Sequence, residues 1–143
     1  MSTPKPMGYW LKHIDRGLEN NFAALLETEG LNRRRWQILN TVATDAVDAD
    51  ALDAALRPFL TEAEPTVRPQ LDALVAQGWI ALGDNDSLTL TDDGRAAYER
   101  VNARVQRLRA EVIDGLSPED YRALVEMLRR IASNVDAQAV ALS

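Results

Sequence analysis

Apolar residues recur at three- and four-residue steps near the start of the chain, which is the spacing that one face of an α-helix requires. We predict an amphipathic helix over residues 7–27 and expect Gly30 to end it. A second helix is predicted after Asn32, whose side chain can cap it, with Trp36 and Leu39 facing inward. The apolar stripe of the first helix consists of Met7, Leu11, Ile14, Leu18, Phe22 and Leu25.

Two shorter helices are predicted next. Asp48 or Asp50 can cap a third helix, which Pro58 ends or distorts because proline has no backbone donor. The fourth helix is predicted to begin near Pro65 or Thr66. It ends where the hydrophobic period changes from that of a helix to that of a strand.

The segment from Thr66 to Arg95 is the most informative part of the chain, because its hydrophobic period changes twice. After the fourth helix, residues 79–82 and 88–90 are predicted to form two short strands around the turn sequence GDNDS. Thr91 can then cap another helix. A helix followed by a two-stranded hairpin is typical of a winged helix.

Two long helices complete the predicted order of elements. One is predicted from Thr91 or Asp92 to about Asp114. The other begins at a capping box formed by Ser117 and Asp120, and it carries a second apolar stripe. The predicted fold class is therefore mainly α with a small β-hairpin wing, and the whole chain is predicted to form a single domain.

Composition narrows the classes of protein that fit this pattern. The chain has 143 residues, the length of one domain, and no cysteine, which excludes disulfides, cysteine-ligated zinc and thiolate catalysis. No apolar run approaches the roughly 20 residues that span a bilayer, and the N-terminal sequence lacks the apolar core of a signal peptide. We therefore expect a cytoplasmic protein that does not bind a membrane.

Charge is distributed unevenly along the chain. The net charge of −6 disfavours indiscriminate binding of nucleic acid, since lysine and arginine supply the affinity for phosphate. Arginines nevertheless cluster at residues 33–35 and between Arg95 and Arg109, whereas acidic residues concentrate at residues 45–53 and 84–93. An arginine triplet near a helix start opposes the helix dipole, so it indicates either an anionic partner or a solvated charged face.

Three segments carry a family resemblance. They are GLNRRRWQILNTVA at 30–43, the pattern TV…LDAL…GWI at 66–80, and LTLTDDGRAAYERV at 88–101. In this order and spacing they resemble the MarR-type family of dimeric winged helix-turn-helix transcriptional regulators. The resemblance implies that residues 32–92 form a DNA-binding lobe and that residues 7–28 and 93–136 form a helical dimerisation region.

The same resemblance implies a homodimer that binds double-stranded DNA at a roughly palindromic operator through the fourth helix of each subunit. Arginine suits guanine and glutamine suits adenine, and Arg68 is the first candidate for a base contact. The candidate DNA-contact residues are Thr66, Arg68, Gln70, Arg33, Arg34, Arg35 and Arg95. The candidate dimerisation residues are Met7, Leu11, Ile14, Leu108, Val112, Leu124 and Leu128.

Two features depart from this family. The outward face of the fourth helix is centred on Pro69, Ala73 and Ala76, which offer almost no hydrogen-bond donors. The predicted wing contains Asp84 and Asp86 and no basic residue, and its acidic groups would repel phosphate. Two functions therefore stay open: a selective DNA-binding regulator, or a winged-helix module for protein interaction or ligand binding whose DNA binding is weak or lost.

The resemblance also implies a small aromatic effector, held between the dimerisation region and the DNA-binding lobe. Trp10, His13, Arg16 and Trp36 are the candidates for its site. The alternative is core packing for the two tryptophans and solvent exposure for His13 and Arg16. His13 is the only histidine and no nucleophile motif accompanies it, so we predict no enzyme activity, no metal and no cofactor.

Overall fold

The computed structural model describes residues 3–45 and 48–143. Within them the chain is mainly helical with one two-stranded hairpin, and the predicted order of elements is confirmed. The helices are α1 (Met7–Thr28), α2 (Arg33–Thr44), α3 (Ala49–Leu56), α4 (Arg68–Ala76), α5 (Asp92–Val112) and α6 (Pro118–Leu142), and the strands are β1 (Ile80–Leu82) and β2 (Leu88–Leu90). Short 3-10 turns follow α3 and join the two strands.

Side-chain caps at predicted residues begin α2, α3 and α6, and Thr91 caps α5 in the same way. Asn32 Oδ1 accepts a hydrogen bond from the backbone N–H of Arg35 at 2.8 Å, and Asp48 caps α3 in the same way. Ser117 and Asp120 form the predicted capping box at the start of α6. Each cap satisfies a backbone donor that a helix start would otherwise leave unpaired.

The start of α4 differs from the prediction, because the helix begins at Arg68 rather than near residues 65–66. Pro69 has no N–H and cannot donate to the carbonyl four residues earlier, so a helix beginning there would lack its first hydrogen bond. The backbone N–H of Val67 instead donates to Asp53 Oδ1 at 3.1 Å. A carboxylate from α3 therefore fixes where α4 starts.

The hairpin between α4 and α5 is short and tightly turned. Its strands are antiparallel, with Ile80 opposite Leu90 and Leu82 opposite Leu88. The turn places Asn85 and the next residue at φ 57° and 58°, in the left-handed region that asparagine and aspartate tolerate better than most residues. Ile80 and Leu88 lie on one face of the hairpin and are buried, whereas Ala81 and Thr89 on the other face are exposed, so one face packs against the core.

Two compact units divide the chain, one ending at Gln106 and the other comprising Arg107–Ser143. In the second unit, α6 has no buried residue. No helix among the described residues is long and apolar enough to cross a membrane. The fully buried side chains all belong to the first unit and include Leu26, Ile38, Leu39, Leu52, Val67, Leu71, Leu74, Ile80, Val101 and Val105. The predicted lobe at 32–92 and the helical regions beside it are defined by their expected roles in DNA binding and dimerisation. The boundary at Gln106 between the two units neither supports nor contradicts those roles.

The exit from the hairpin is closely packed. Thr91 Oγ1 accepts a hydrogen bond from the backbone N–H of Gly94 at 2.9 Å and donates one to the carbonyl of Gly78 at 2.6 Å. A Cβ atom at position 94 would lie only 1.9 Å from the carbonyl oxygen of Trp79. The start of α5 therefore lies against the backbone that precedes β1, at a distance that only glycine permits.

An ion-pair cluster joins the end of α1 to α5. The Glu29 carboxylate lies 2.6 Å from Arg104 Nη1 and 3.0 Å from Arg100 Nε. The hydrogen bond from Arg104 is the largest cause that lowers the pKa of Glu29 below its ordinary value, and Arg100 adds to it, whereas burial acts in the opposite direction. The folded state therefore favours the ionised form of Glu29.

Replacing Glu29 with glutamine is expected to lower the free energy of unfolding at neutral pH by about 1 kcal/mol, since both arginines are half exposed and screened by water. Because the folded-state pKa is lowered, the stabilisation is fully present above the ordinary pKa of 4.5 and is lost as the pH falls through the folded pKa. Denaturant unfolding of both proteins near neutral pH and well below 4.5 measures this difference. A deficit that stays the same at both pH values would contradict the ionic explanation.

Candidate nucleic-acid interface

The first turns of α2 and α4 meet at one corner of the first unit. Gln70 Oε1 accepts a hydrogen bond from Arg35 Nε at 2.7 Å and a second from Asn32 Nδ2 at 3.3 Å. Two candidate DNA-contact residues are thereby brought together from positions far apart in sequence. We name this surface the α2–α4 corner and define it by Asn32, Arg33, Arg35, Arg68 and Gln70.

Arg33 lies at the exposed side of the α2–α4 corner. Its Nη2 atom is 2.6 Å from Glu19 Oε2 of α1, and its guanidinium lies 5.1 Å from the ring centroid of Phe22. More than half of each charged side chain is exposed, and exposed ion pairs contribute little stability. Arg33 can therefore exchange Glu19 for a phosphate group at small cost.

Arg34, by contrast, is engaged inside the protein. Its guanidinium donates to Gln37 at 2.7 Å, to Glu64 at 3.3 Å and to the carbonyl of Phe59, and only 15% of its side chain is exposed. These bonds attach α2 to the segment between α3 and α4. Three of the five N–H donors of Arg34 therefore have protein partners, which makes Arg34 a weaker candidate for DNA contact than the exposed Arg33.

Arg68 begins α4 and is paired with two acidic residues. Its Nε atom lies 3.3 Å from Asp72 Oδ1 on the next helical turn, and its Nη1 atom lies 3.9 Å from Asp86 Oδ1 in the hairpin turn. Roughly half of each side chain is exposed, so water screens both pairs and each contributes at most about 1 kcal/mol. DNA would have to compete with these two carboxylates for Arg68.

The two remaining DNA-contact candidates, Thr66 and Arg95, do not belong to the α2–α4 corner. Thr66 is exposed immediately before α4, and Arg95 is exposed in the first turn of α5. The hydrogen bonds that join α2 to α4 involve neither residue. Both stay candidates for phosphate contact on the strength of their exposure and their position at helix starts.

Sequence patterns do not reveal the two acidic residues that organise the start of α4. Asp53 accepts a hydrogen bond from the backbone N–H of Val67. Asp86, which lies in the hairpin turn, forms an ion pair with Arg68 of α4. Neither pairing follows a helical or a strand period. The acidic composition of the turn was the only available signal, and it indicated repulsion of phosphate rather than a contact with α4.

The four candidate effector residues form two separate groups. On α1, the ring centroids of Trp10 and His13 are 6.2 Å apart, and both residues are exposed, as is Arg16. Trp36 is buried and stacks on Tyr98 of α5, with ring centroids 5.7 Å apart. Core packing therefore explains Trp36, whereas Trp10 is exposed on the single chain.

Most of the candidate dimerisation side chains are exposed apolar groups. The exposed ones are Met7, Leu11, Ile14, Val112, Leu124 and Leu128, and Leu108 is half-buried. The stripe on α1 continues through Leu18, which is also exposed. Monomeric proteins rarely expose contiguous apolar surface of this kind, so these helices have a surface to bury.

Solved structures of MarR-family proteins share the fold of this chain. The DNA complex of the Mycobacterium tuberculosis MarR family protein Rv2887 is 26% identical, with a TM-score of 0.66 over 90% of this chain and 98% of that one. Rv2887 in complex with p-aminosalicylic acid is 24% identical, with a TM-score of 0.61 over 90% and 99%. The reduced form of MarR from E. coli is 20% identical, with a TM-score of 0.65 over 90% and 95%.

The fold is that of the winged helix-turn-helix regulators of MarR type, as the sequence predicts. The chain belongs to the helix-turn-helix family, whose model matches residues 20–141. No curated protein sequence matches it. Similar structures are named as a MarR family protein, as MarR and as the transcriptional repressor CouR, and these names agree with the prediction that this chain is not an enzyme.

Proposed function

We propose that this protein is a homodimeric regulator that binds a roughly palindromic DNA operator through the α2–α4 corner of each subunit. The observation that carries this proposal is the convergence of two helix starts, which brings Asn32 and Arg35 of α2 to Gln70 of α4 on a winged-helix scaffold. Helix starts and arginines both favour phosphate, and the first turn of α4 is the part that enters a major groove in helix-turn-helix proteins.

The charges of the corner indicate selective rather than indiscriminate binding. Arg68 is accompanied by Asp72 and Asp86, so little net positive charge is available at the start of α4. Affinity for the phosphate backbone of any sequence is therefore low, and base contacts must supply a larger share of the binding free energy. The acidic hairpin turn lies beside the start of α4 and therefore disfavours binding to unrelated DNA.

Homodimerisation is supported by the exposed apolar stripes. On the single chain, between 38% and 48% of the surface of each of four apolar residues is exposed: Leu11 and Ile14 on α1, and Leu124 and Leu128 on α6. Pairing with a second copy would bury such stripes, and a two-fold dimer buries the same surface on both subunits. A symmetric dimer in turn requires two half-sites about one helical turn apart.

Fluorescence anisotropy with DNA flanking the gene of this protein tests the proposal directly. Titrations at several salt concentrations should show specific binding that weakens as salt rises, because bound arginines release counterions from DNA. Selection of bound sequences from a random library should return a roughly palindromic site. Absence of binding even at low salt would reject the proposal and favour the second function, a winged-helix module for protein interaction or ligand binding.

Replacing Arg68 with alanine should relax base preference at one position in each half-site. The expected cost is about 1–3 kcal/mol per contact, because arginine is the residue best suited to the edge of guanine. Competition binding with operators altered at single positions measures this effect. A uniform loss of affinity for all sequences would instead assign Arg68 to a phosphate, and an unchanged affinity would remove it from the interface.

The predicted aromatic effector stays a prediction. Rv2887, which shares this fold, is known in complex with p-aminosalicylic acid. In this chain, however, Trp36 packs against Tyr98 while Trp10 and His13 meet edge to face on α1, so the four candidates do not support one common site. An effector would also need different affinities for two conformations of the dimer. Tryptophan fluorescence titration against aromatic acids would check for binding.

A further inference from the structure

The hydrogen bonds of Gln70 fix which end of its amide faces the protein. Arg35 Nε is a donor and can never accept, so the Gln70 atom 2.7 Å from it must be the carbonyl oxygen. Asn32 contributes a second bond to the same oxygen through Nδ2 at 3.3 Å. The orientation of the amide therefore follows from the chemistry of its partners.

Asn32 is itself oriented by the start of α2. Its Oδ1 atom accepts the helix-capping hydrogen bond from the backbone N–H of Arg35 at 2.8 Å. With the oxygen held there, the amino group of Asn32 is the end that faces Gln70. The network therefore begins at the backbone N–H of Arg35, continues through the side-chain amide of Asn32, and ends at the side-chain amide of Gln70. In both of these hydrogen bonds a nitrogen donates to an amide oxygen.

The amino group of Gln70 remains free to meet a ligand. Its Nε2 atom donates to no described residue, and no buried side-chain nitrogen or oxygen among the described residues lacks a partner. Nε2 must therefore reach solvent. Gln70 also lines an open cleft with Asn32 and Arg33, beside the exposed start of α4.

We propose that Arg35 and Asn32 hold Gln70 as a donor-only contact to DNA, which makes Arg35 a positioning residue for base specificity. An unrestrained glutamine pairs with adenine because it accepts from N6 and donates to N7 at once. With Oε1 occupied, Gln70 can only donate. It favours guanine or thymine, whose major-groove edges present acceptors and no donor, over adenine, whose N6 donor would be left without an acceptor. This inference rests on the proposed DNA binding and replaces the predicted preference of Gln70 for adenine.

Selection of bound sequences from a random DNA library tests the inference with four proteins. They are the full-length wild type, Gln70→Ala, Arg35→Met and Arg33→Met. Arg33→Met is the matched control, because it removes the same charge from the same helix without touching Gln70. Circular dichroism melting of each variant verifies that it folds before its selected sequences are compared.

The wild type should prefer guanine or thymine over adenine by roughly twofold to tenfold at one position of each half-site, the range for a single hydrogen bond. Gln70→Ala should lose this preference. Arg35→Met should shift it toward adenine, because the lone pair of Oε1 that accepted from Arg35 becomes free to accept from N6. Arg33→Met should weaken binding to all sequences alike and leave the preferred base unchanged.

Gln70→Glu provides a second route if Arg35→Met does not fold. A carboxylate can keep the contact with Arg35 but has no amino group, so the preference for guanine or thymine should disappear. A wild type that prefers adenine at the position sensitive to Gln70→Ala would overturn the inference while leaving DNA binding intact. An unchanged preference in Arg35→Met would do the same, whereas no sequence selection by the wild type would reject the proposed function and this inference with it.

Discussion

Replacing Gly94 with alanine is expected to destabilise the first unit by about 2–3 kcal/mol, the upper part of the usual range for overpacking. The added methyl group would lie 1.9 Å from the carbonyl oxygen of Trp79 and 2.7 Å from its carbonyl carbon. Both atoms belong to backbone, which cannot rotate away as a flexible side chain can. The hairpin and the start of α5 would have to separate, and the hydrogen bonds of Thr91 to both sides would be strained.

Thermal and denaturant unfolding of Gly94→Ala measures this loss, and Gly17→Ala is the matched control. Gly17 is also helical, but no heavy atom lies within 4 Å of a Cβ added there. Alanine at that position should leave stability unchanged or raise it by up to about 1 kcal/mol, the difference in helix propensity. Equal stability of Gly94→Ala and the wild type would contradict the close approach of α5 to Trp79.

Helix starts were predictable because their signals are local. Asn32, Asp48 and Ser117 are polar residues placed immediately before apolar periodicity, and each caps the predicted helix. A cap is complete within one helical turn, so sequence alone contains all of its atoms. Thr91 is predictable for the same reason, since it accepts from the residue three positions later.

The start of α4 was not predictable to the residue because its determinant is not local. Asp53 belongs to α3, and only the folded chain brings its carboxylate to Val67. Pro69 was visible in the sequence, and its missing donor explains why no helix begins at residues 65–66. The proline excluded one start, but the choice of Arg68 required a tertiary contact.

At the candidate interface, the environments of the three consecutive arginines 33–35 were also not predictable from the sequence, because they depend on tertiary contacts. The sequence makes the three residues equivalent, whereas the fold gives each a different environment. Arg33 is exposed beside Glu19, Arg34 is enclosed by the segment after α3, and Arg35 holds Gln70. Helical spacing of about 100° per residue separates three consecutive side chains, but it does not specify what each one meets.

The wing shows how the same charge can have two consequences. The sequence correctly placed Asp86 in a short acidic turn, and repulsion of phosphate followed from that placement. The fold adds that Asp86 approaches Arg68, the strongest candidate for a base contact. An acid that pairs with a base-contacting arginine lowers affinity for every sequence, and it orients the guanidinium only weakly because both groups are exposed.

Placing aspartate at Leu124 and Leu128 together is expected to convert the proposed dimer into a monomer. Both leucines are about 40% exposed on the single chain and belong to a helix with no buried residue, so the fold of the subunit does not depend on them. In a dimer they would be buried, and two unpaired carboxylates in an apolar interface carry a large desolvation cost. Sedimentation of variant and wild type at the same protomer concentration measures the change in mass.

Ser133→Asp is the matched control, since at about 100° per residue it lies on the face of α6 opposite Leu124, beside Arg129 and Arg130. This control should remain dimeric and bind DNA as the wild type does. The double variant should lose operator affinity by about 100-fold or more, because each subunit would then bind a half-site without the effective concentration that a partner provides. If it stays folded and dimeric, the α6 stripe is not the interface. If it becomes monomeric and still binds a full operator with unchanged affinity, DNA recognition does not require the dimer.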